Sequence, residues 1–143
     1  MSASDQSTAS LAELFSAIQE DKEFHRLVSN LHADAKNLVK ARPDFVTLPA
    51  VFQQYLGTAN QVLAKHPEVA QVALEMVNHN PEFEFHLLEI ADLGDKALDA
   101  LNVFSSIQEL AHYAESDSYT LTQFGLKAQT VMVCAERFIQ ERA

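Results

Sequence analysis

The longest run of this chain that keeps one helical period lies between Asn80 and Glu115. Phe83, Leu87, Ile90, Gly94, Ala97, Leu101, Phe104, Gln108 and Ala111 alternate spacings of four and three, and Leu93, Ala100, Ile107 and Ala114 widen the same side. Glu89, Asp92, Lys96, Asp99, Asn102, Ser106 and Glu109 fall on the opposite, polar side. Asn80 supplies a cap, Pro81 suits the first helical position, and Glu82 and Glu84 bring negative charge to the first turn, where the helix dipole favours it. The spacing therefore predicts one long helix over residues 81–115. Gly94 stands before Asp95, a possible second cap, but the four-three spacing runs through it, so continuity is the expectation.

Shorter amphipathic runs flank this segment. Ser10 and Glu13 have capping-box spacing ahead of Leu11, Leu14, Phe15 and Ile18. The apolar phase then shifts near Asp21, predicting a break before a second stripe of Phe24, Leu27, Val28, Leu31, Ala35 and Leu38. Pro43 marks a connection, and Thr47 with Pro49 restarts a helix whose face is Leu48, Phe52, Tyr55, Ala59 and Val62. Gly57 inside that helix marks either a close approach by another helix or a tolerated weakness, with the second preferred. Pro67 opens a short helix carrying Val69, Val72, Ala73, Met76 and Val77, with His66 and His79 at its ends. Ser118 or Thr120 caps a last helix with Leu121, Phe124, Ala128, Val131, Ala135 and Phe138 on one side. No alternating strand pattern survives. The fold class is all-α, an irregular antiparallel bundle of about five to six helices joined by short connections. Leu87, Leu101, Phe104, Val131 and Phe138 are its expected core.

Composition narrows the picture. Residues 1–9 lack an apolar period and read as a flexible tail, and residues 10–143 form one helical-bundle domain, long enough to bury a core without staples. The single cysteine, Cys134, can form neither an internal disulfide nor a thiolate metal site. No apolar run reaches the ~20 residues of a membrane span and no signal-peptide pattern is present, so a cytoplasmic protein is expected. Twenty acids against ten bases give a net charge of −10, which disfavours direct contact with nucleic acid or anionic lipid.

Candidate chemistry is sparse. Glu109 and His112 have the Glu-x-x-His spacing of di-iron bundles, which normally use two such pairs. Glu82, His86 and Glu89 form a second acid and histidine cluster, but on a continuous helix His86 and His112 stand about 39 Å apart. These five residues are the metal-binding alternative; the primary expectation is no metal and no cofactor. His25 and His32 sit beside the second stripe, where boundary histidines with wet ring edges are the ordinary outcome. Cys134 has no local histidine to activate it, and isolated Gly57, Gly94 and Gly125 build no phosphate loop.

The sequence therefore points away from an enzyme. It favours a cytosolic protein–protein interaction or regulatory module that self-associates. A small bundle binding a metal or an apolar ligand is the alternative, followed by an acidic decoy for a nucleic-acid-binding protein. A continuous helix over residues 81–115 would extend about 52 Å, beyond neighbours of ~30 Å, and leave part of its apolar face uncovered. That predicts a homodimer contacting through Phe83, Leu87, Ile90 or Phe104.

Overall fold

The computed structural model describes residues 10–41, 48–114 and 121–140. These residues form seven helices and no strand: α1 (Leu11–Glu20), α2 (Lys22–Ala41), α3 (Leu48–Lys65), α4 (Pro67–Val77), α5 (Phe83–Leu93), α6 (Asp95–Ala114) and α7 (Leu121–Gln140). The expected tail at residues 1–9, the connection around Pro43 and the caps at Ser118 and Thr120 lie outside the described residues. Helix α2 packs chiefly against α3 and α7, and α7 in turn against α6. Helix α6 also meets α4 and α5, and α1 lies against α4, α5 and α6. The result is an all-α bundle with one helix more than the sequence suggested, because the long segment is divided.

Local chemistry explains where the helices begin and end. The Ser10 hydroxyl oxygen accepts the Glu13 N–H at 3.1 Å and caps α1. Asp21 does two jobs at the α1–α2 break. Its own N–H closes α1 on the Ile18 carbonyl at 3.2 Å, and its carboxylate accepts the Phe24 N–H at 3.0 Å to open α2. The same carboxylate lies 2.9 Å from His66 Nε2 and 3.3 Å from Lys65 Nζ, so it ties the α1–α2 junction to the α3–α4 junction. Phe24, fully buried, continues the tie inward: it meets His66 edge-on at 5.1 Å, stacks on Phe104 of α6 at 5.5 Å and meets Phe138 of α7 edge-on at 5.5 Å.

The predicted stripe of α2 is buried at Phe24, Leu27, Val28, Leu31, Ala35 and Leu38, and that of α7 at Phe124, Ala128, Val131, Ala135 and Phe138, the Leu121 side chain lying outside those described. The segment 81–115 departs from expectation in three ways. First, it is not continuous. Gly94 ends α5 with φ 106° and ψ 179°, a conformation open only to glycine, and Asp95 starts α6. Apolar spacing records which positions are buried, not whether the axis turns, and so it passed through the corner unmarked. Second, Leu87 is not core but 41% exposed. Third, the expected wet side of α6 is partly dry: Asp99 and Ser106 are buried, Asn102 and Glu109 half-buried, and Lys96 exposed. With neighbours on several sides, α6 has no broad solvent face. Its serines enter the interior because each hydroxyl donates to its own helix, Ser106 to the Val103 carbonyl at 2.9 Å and Ser105 to the Asn102 carbonyl at 3.3 Å.

The turn into α5 also sits later than predicted. His79, at φ 57°, ends α4 as a left-handed cap: its N–H donates to Met76 O at 3.1 Å and the Asn80 N–H to Glu75 O at 2.9 Å. Asn80 then accepts the Glu82 N–H at 3.0 Å, and the helix proper begins at Phe83.

Two glycines should respond in opposite directions. A methyl added at Gly57, exposed in mid-helix, meets no atom within 4 Å, so Gly57→Ala should stabilise the fold by about 0.5–1 kcal/mol. Gly94→Ala should destabilise it by about 1–3 kcal/mol through backbone strain, although it too meets no neighbour. Thermal melts of the two variants check both signs.

Asp21 gives the fold an acid-sensitive component. Partial burial pushes its carboxyl up, but hydrogen bonds from Phe24, Lys65 and His66 outweigh this and hold it below its ordinary value of 3.8. The stability it contributes is therefore complete above about pH 5 and is lost as the pH falls through the lowered native value. Asp21→Asn keeps a capping oxygen but not the charge. It should cost about 1 kcal/mol at pH 7, and its deficit against the parent should shrink below about pH 4. Denaturant melts of both chains across pH 2–7 measure that difference.

Candidate interaction surface

The residues singled out for metal chemistry are not gathered. Glu109 ion-pairs with Lys127 of α7, whose ammonium also lies 5.4 Å from the Tyr113 ring centre. His112, on the next turn, is exposed. His86 Nδ1 lies 2.9 Å from Glu75 Oε2 of α4, while Glu82 and Glu89 point to solvent. Among the described residues no three His, Cys, Asp or Glu side chains converge as a metal would require. His25 and His32 engage α7 separately, His25 edge-on to Phe138 at 5.2 Å and His32 with Nε2 3.8 Å from Glu136.

Burial also acts on Cys134 and Tyr55. Burial pushes the Cys134 thiol up against the weaker opposing pull of a hydrogen bond with Ser106 and the charge of Arg137, so it stays protonated at neutral pH. Burial likewise pushes the Tyr55 phenol far up, and its hydroxyl has no hydrogen-bond partner among the described residues. Neither is poised for proton transfer or nucleophilic attack.

The four predicted contact residues separate into two groups. Phe83, Ile90 and Phe104 are at most 9% exposed and packed within the chain itself. The division at Gly94 shortens α5 and α6 to about 16 Å and 30 Å, and α1 packs on α5, so the overhanging apolar face from which the dimer was argued is not formed. Leu87 alone of the four remains accessible.

A different apolar surface is exposed instead. Phe85 and Leu88, 76% and 70% exposed, stand one turn apart on the side of α5 away from Phe83 and Ile90. Glu84 and Glu89 flank them, Asp92 follows Leu88 on the same side, and Glu82 and Asp95 lie at the two ends. Between residues 66 and 95 the chain has seven acids, Glu68, Glu75, Glu82, Glu84, Glu89, Asp92 and Asp95, and no lysine or arginine. Most of the net charge of −10 is therefore concentrated on α4, α5 and the start of α6. Beside this face a cleft of about 680 Å³ opens between α4, α5 and α6, lined by Met76, Pro81, Phe83, Glu84, Glu109 and Tyr113. The other exposed apolar pair, Leu126 and Val133 of α7, is two turns apart with exposed Gln129 and Thr130 between.

Sequence reasoning followed the buried stripe and gave Phe85 and Leu88 no role. The signal that could have found them is local: two large apolar residues off the stripe, in a helix with acids on either side and no lysine or arginine. No protein-family model, curated protein or solved structure matches this chain.

Proposed function

We propose that this chain is a non-enzymatic, cytosolic protein–protein interaction module whose contact surface is the outer face of α5. The observation that carries this is the exposure of Phe85 and Leu88 side by side on one helix. Single exposed apolar residues are ordinary on protein surfaces, but two large ones paired one turn apart are the anchors from which a contact surface is built. Burying each side chain is worth about 1.5–3 kcal/mol, so the pair supplies a useful part of a binding energy but not all of it. The neighbouring cleft extends the area a partner can cover. In line with this, the helix is held from behind by Phe83 and Ile90 in the core and by the His86–Glu75 contact to α4, so the face is presented on a fixed support. A second copy of the chain, the self-association expected from sequence, is the competing occupant of this face, through Phe85 and Leu88.

Replacing Phe85 and Leu88 together by serine should remove captured protein from a lysate pulldown, with the fold stability within about 0.5 kcal/mol of the parent because both side chains are exposed. Leu126→Ser with Val133→Ser on α7 should leave capture unchanged. Equal capture by the parent and the α5 variant would reject the assignment of the surface. Light scattering on the parent, read against the 15.9 kDa chain mass, separates a second copy from a different protein.

A further inference from the structure

The partner's chemistry can be read from the charge around the α5 face, given that this face is the contact surface. Elsewhere four acids are neutralised by a nearby base: Asp21 faces Lys65, Glu23 faces Arg26, Asp99 faces Arg137 and Glu109 faces Lys127. Around Phe85 and Leu88 that pattern stops. Glu84, Glu89 and Asp92 border the apolar pair, all exposed, and among the described residues none of them meets a lysine or arginine. Glu82 extends the same sign to the start of the helix, and beyond its end Asp95 is followed by exposed Lys96. The surface is thus an apolar ridge inside an uncompensated acidic rim.

We propose that the outer face of α5 docks a basic amphipathic helix of another protein, with Phe85 and Leu88 packing on its apolar stripe and Glu84, Glu89 and Asp92 meeting its flanking lysines and arginines. Charge complementarity selects this occupant. A second copy meeting itself across a two-fold axis brings acidic rim against acidic rim in either helix direction, since acids stand at both ends and in the middle of α5. Nucleic acid and anionic membranes carry the same sign as the rim and are repelled. A small cation satisfies the carboxylates and leaves the phenyl and isobutyl groups in water. A basic amphipathic helix satisfies both parts, because its apolar residues at three- and four-residue spacing accept a ridge of the same spacing, and long Lys and Arg stems reach past that ridge to the rim.

The probe is a pair of synthetic amphipathic helical peptides that share one leucine stripe and differ only in having lysine or glutamate beside it. Their binding to the full chain is followed by fluorescence anisotropy at 50 and 500 mM salt. The lysine peptide should bind, about tenfold or more tightly at the lower salt, and the glutamate peptide should not. Binding should fall at least about tenfold in Phe85→Ser/Leu88→Ser and again in Glu84→Gln/Glu89→Gln/Asp92→Asn. It should hold in a chain neutralised elsewhere, Glu20→Gln/Glu23→Gln/Glu136→Gln.

Four results overturn the proposal, and they separate its failure from that of the surface assignment. If both peptides bind alike and both lose affinity in Phe85→Ser/Leu88→Ser, the face is a contact surface but not one for a basic partner. If the parent chain dimerises and the same double variant is monomeric, the occupant is a second copy. If the lysine peptide responds equally to the three neutralisations elsewhere and is indifferent to the serine variant, or if neither peptide binds, the basic-helix assignment fails; indifference to the serine variant removes the surface assignment with it.

Discussion

The fold depends on the place where Asp21, His66 and Phe24 meet. A helical chain of this length must bring several helix ends together, and each end carries unpaired backbone groups that need partners. One carboxylate, Asp21, caps α2 and reaches across to the His66 ring and the Lys65 ammonium at the next helix junction. The ring behind it, Phe24, fixes the distance from that junction to α6 and α7 through Phe104 and Phe138. A polar clamp at the rim and an aromatic contact in the middle thus set the relative positions of helices from both halves of the chain. The polar part is ionic and partly wet, the aromatic part dry, so acid weakens only the first.

Once those junctions are fixed, the other helices are placed by geometry. Helix α6 becomes an inner element and accepts burial of Asp99 and its serines, with Arg137 near the acid and the helix carbonyls taking the hydroxyls. Gln108 extends the same logic sideways, donating at 2.8 Å to the Ala70 carbonyl of α4. Gly94 turns the chain by a conformation other residues resist, and α5 is thereby laid across α1, α4 and α6 as an outer helix. One side of α5 closes the core through Phe83 and Ile90, and the other side faces solvent.

The charge distribution gives that outer side its meaning. An acidic protein can spread its charge for solubility, and here several acids outside α5 are indeed balanced by nearby bases. The stretch over residues 66–95 is not balanced, and it coincides with the most exposed phenylalanine and leucine among the described residues. Apolar exposure costs free energy in water, and clustered like charge adds repulsion, so both costs fall together when a complementary surface arrives. Elsewhere burial pushes the thiol of Cys134 and the phenol of Tyr55 up, and Glu109 is paired with Lys127.

The linear sequence determined the helical class, the break at Asp21, and the buried faces of α2 and α7, because those helices bury one stripe each and the 3.6-residue period is a direct record of it. It also held the acidity of the α5 region and the absence of lysine and arginine there, which need no structure to count. Three features were decided only by tertiary structure. Whether the spacing through Gly94 meant one helix or two depended on what lay beside it, since a corner between buried positions preserves the period. The wet or dry state of Asp99 and Ser106 depended on how many neighbours surround α6, which periodicity does not encode. Whether Phe83 or Phe85 would face water depended on which side of α5 the other helices cover. Two phenylalanines two residues apart in a helix point in nearly opposite directions, and only the placement of that helix chooses which becomes core and which becomes surface.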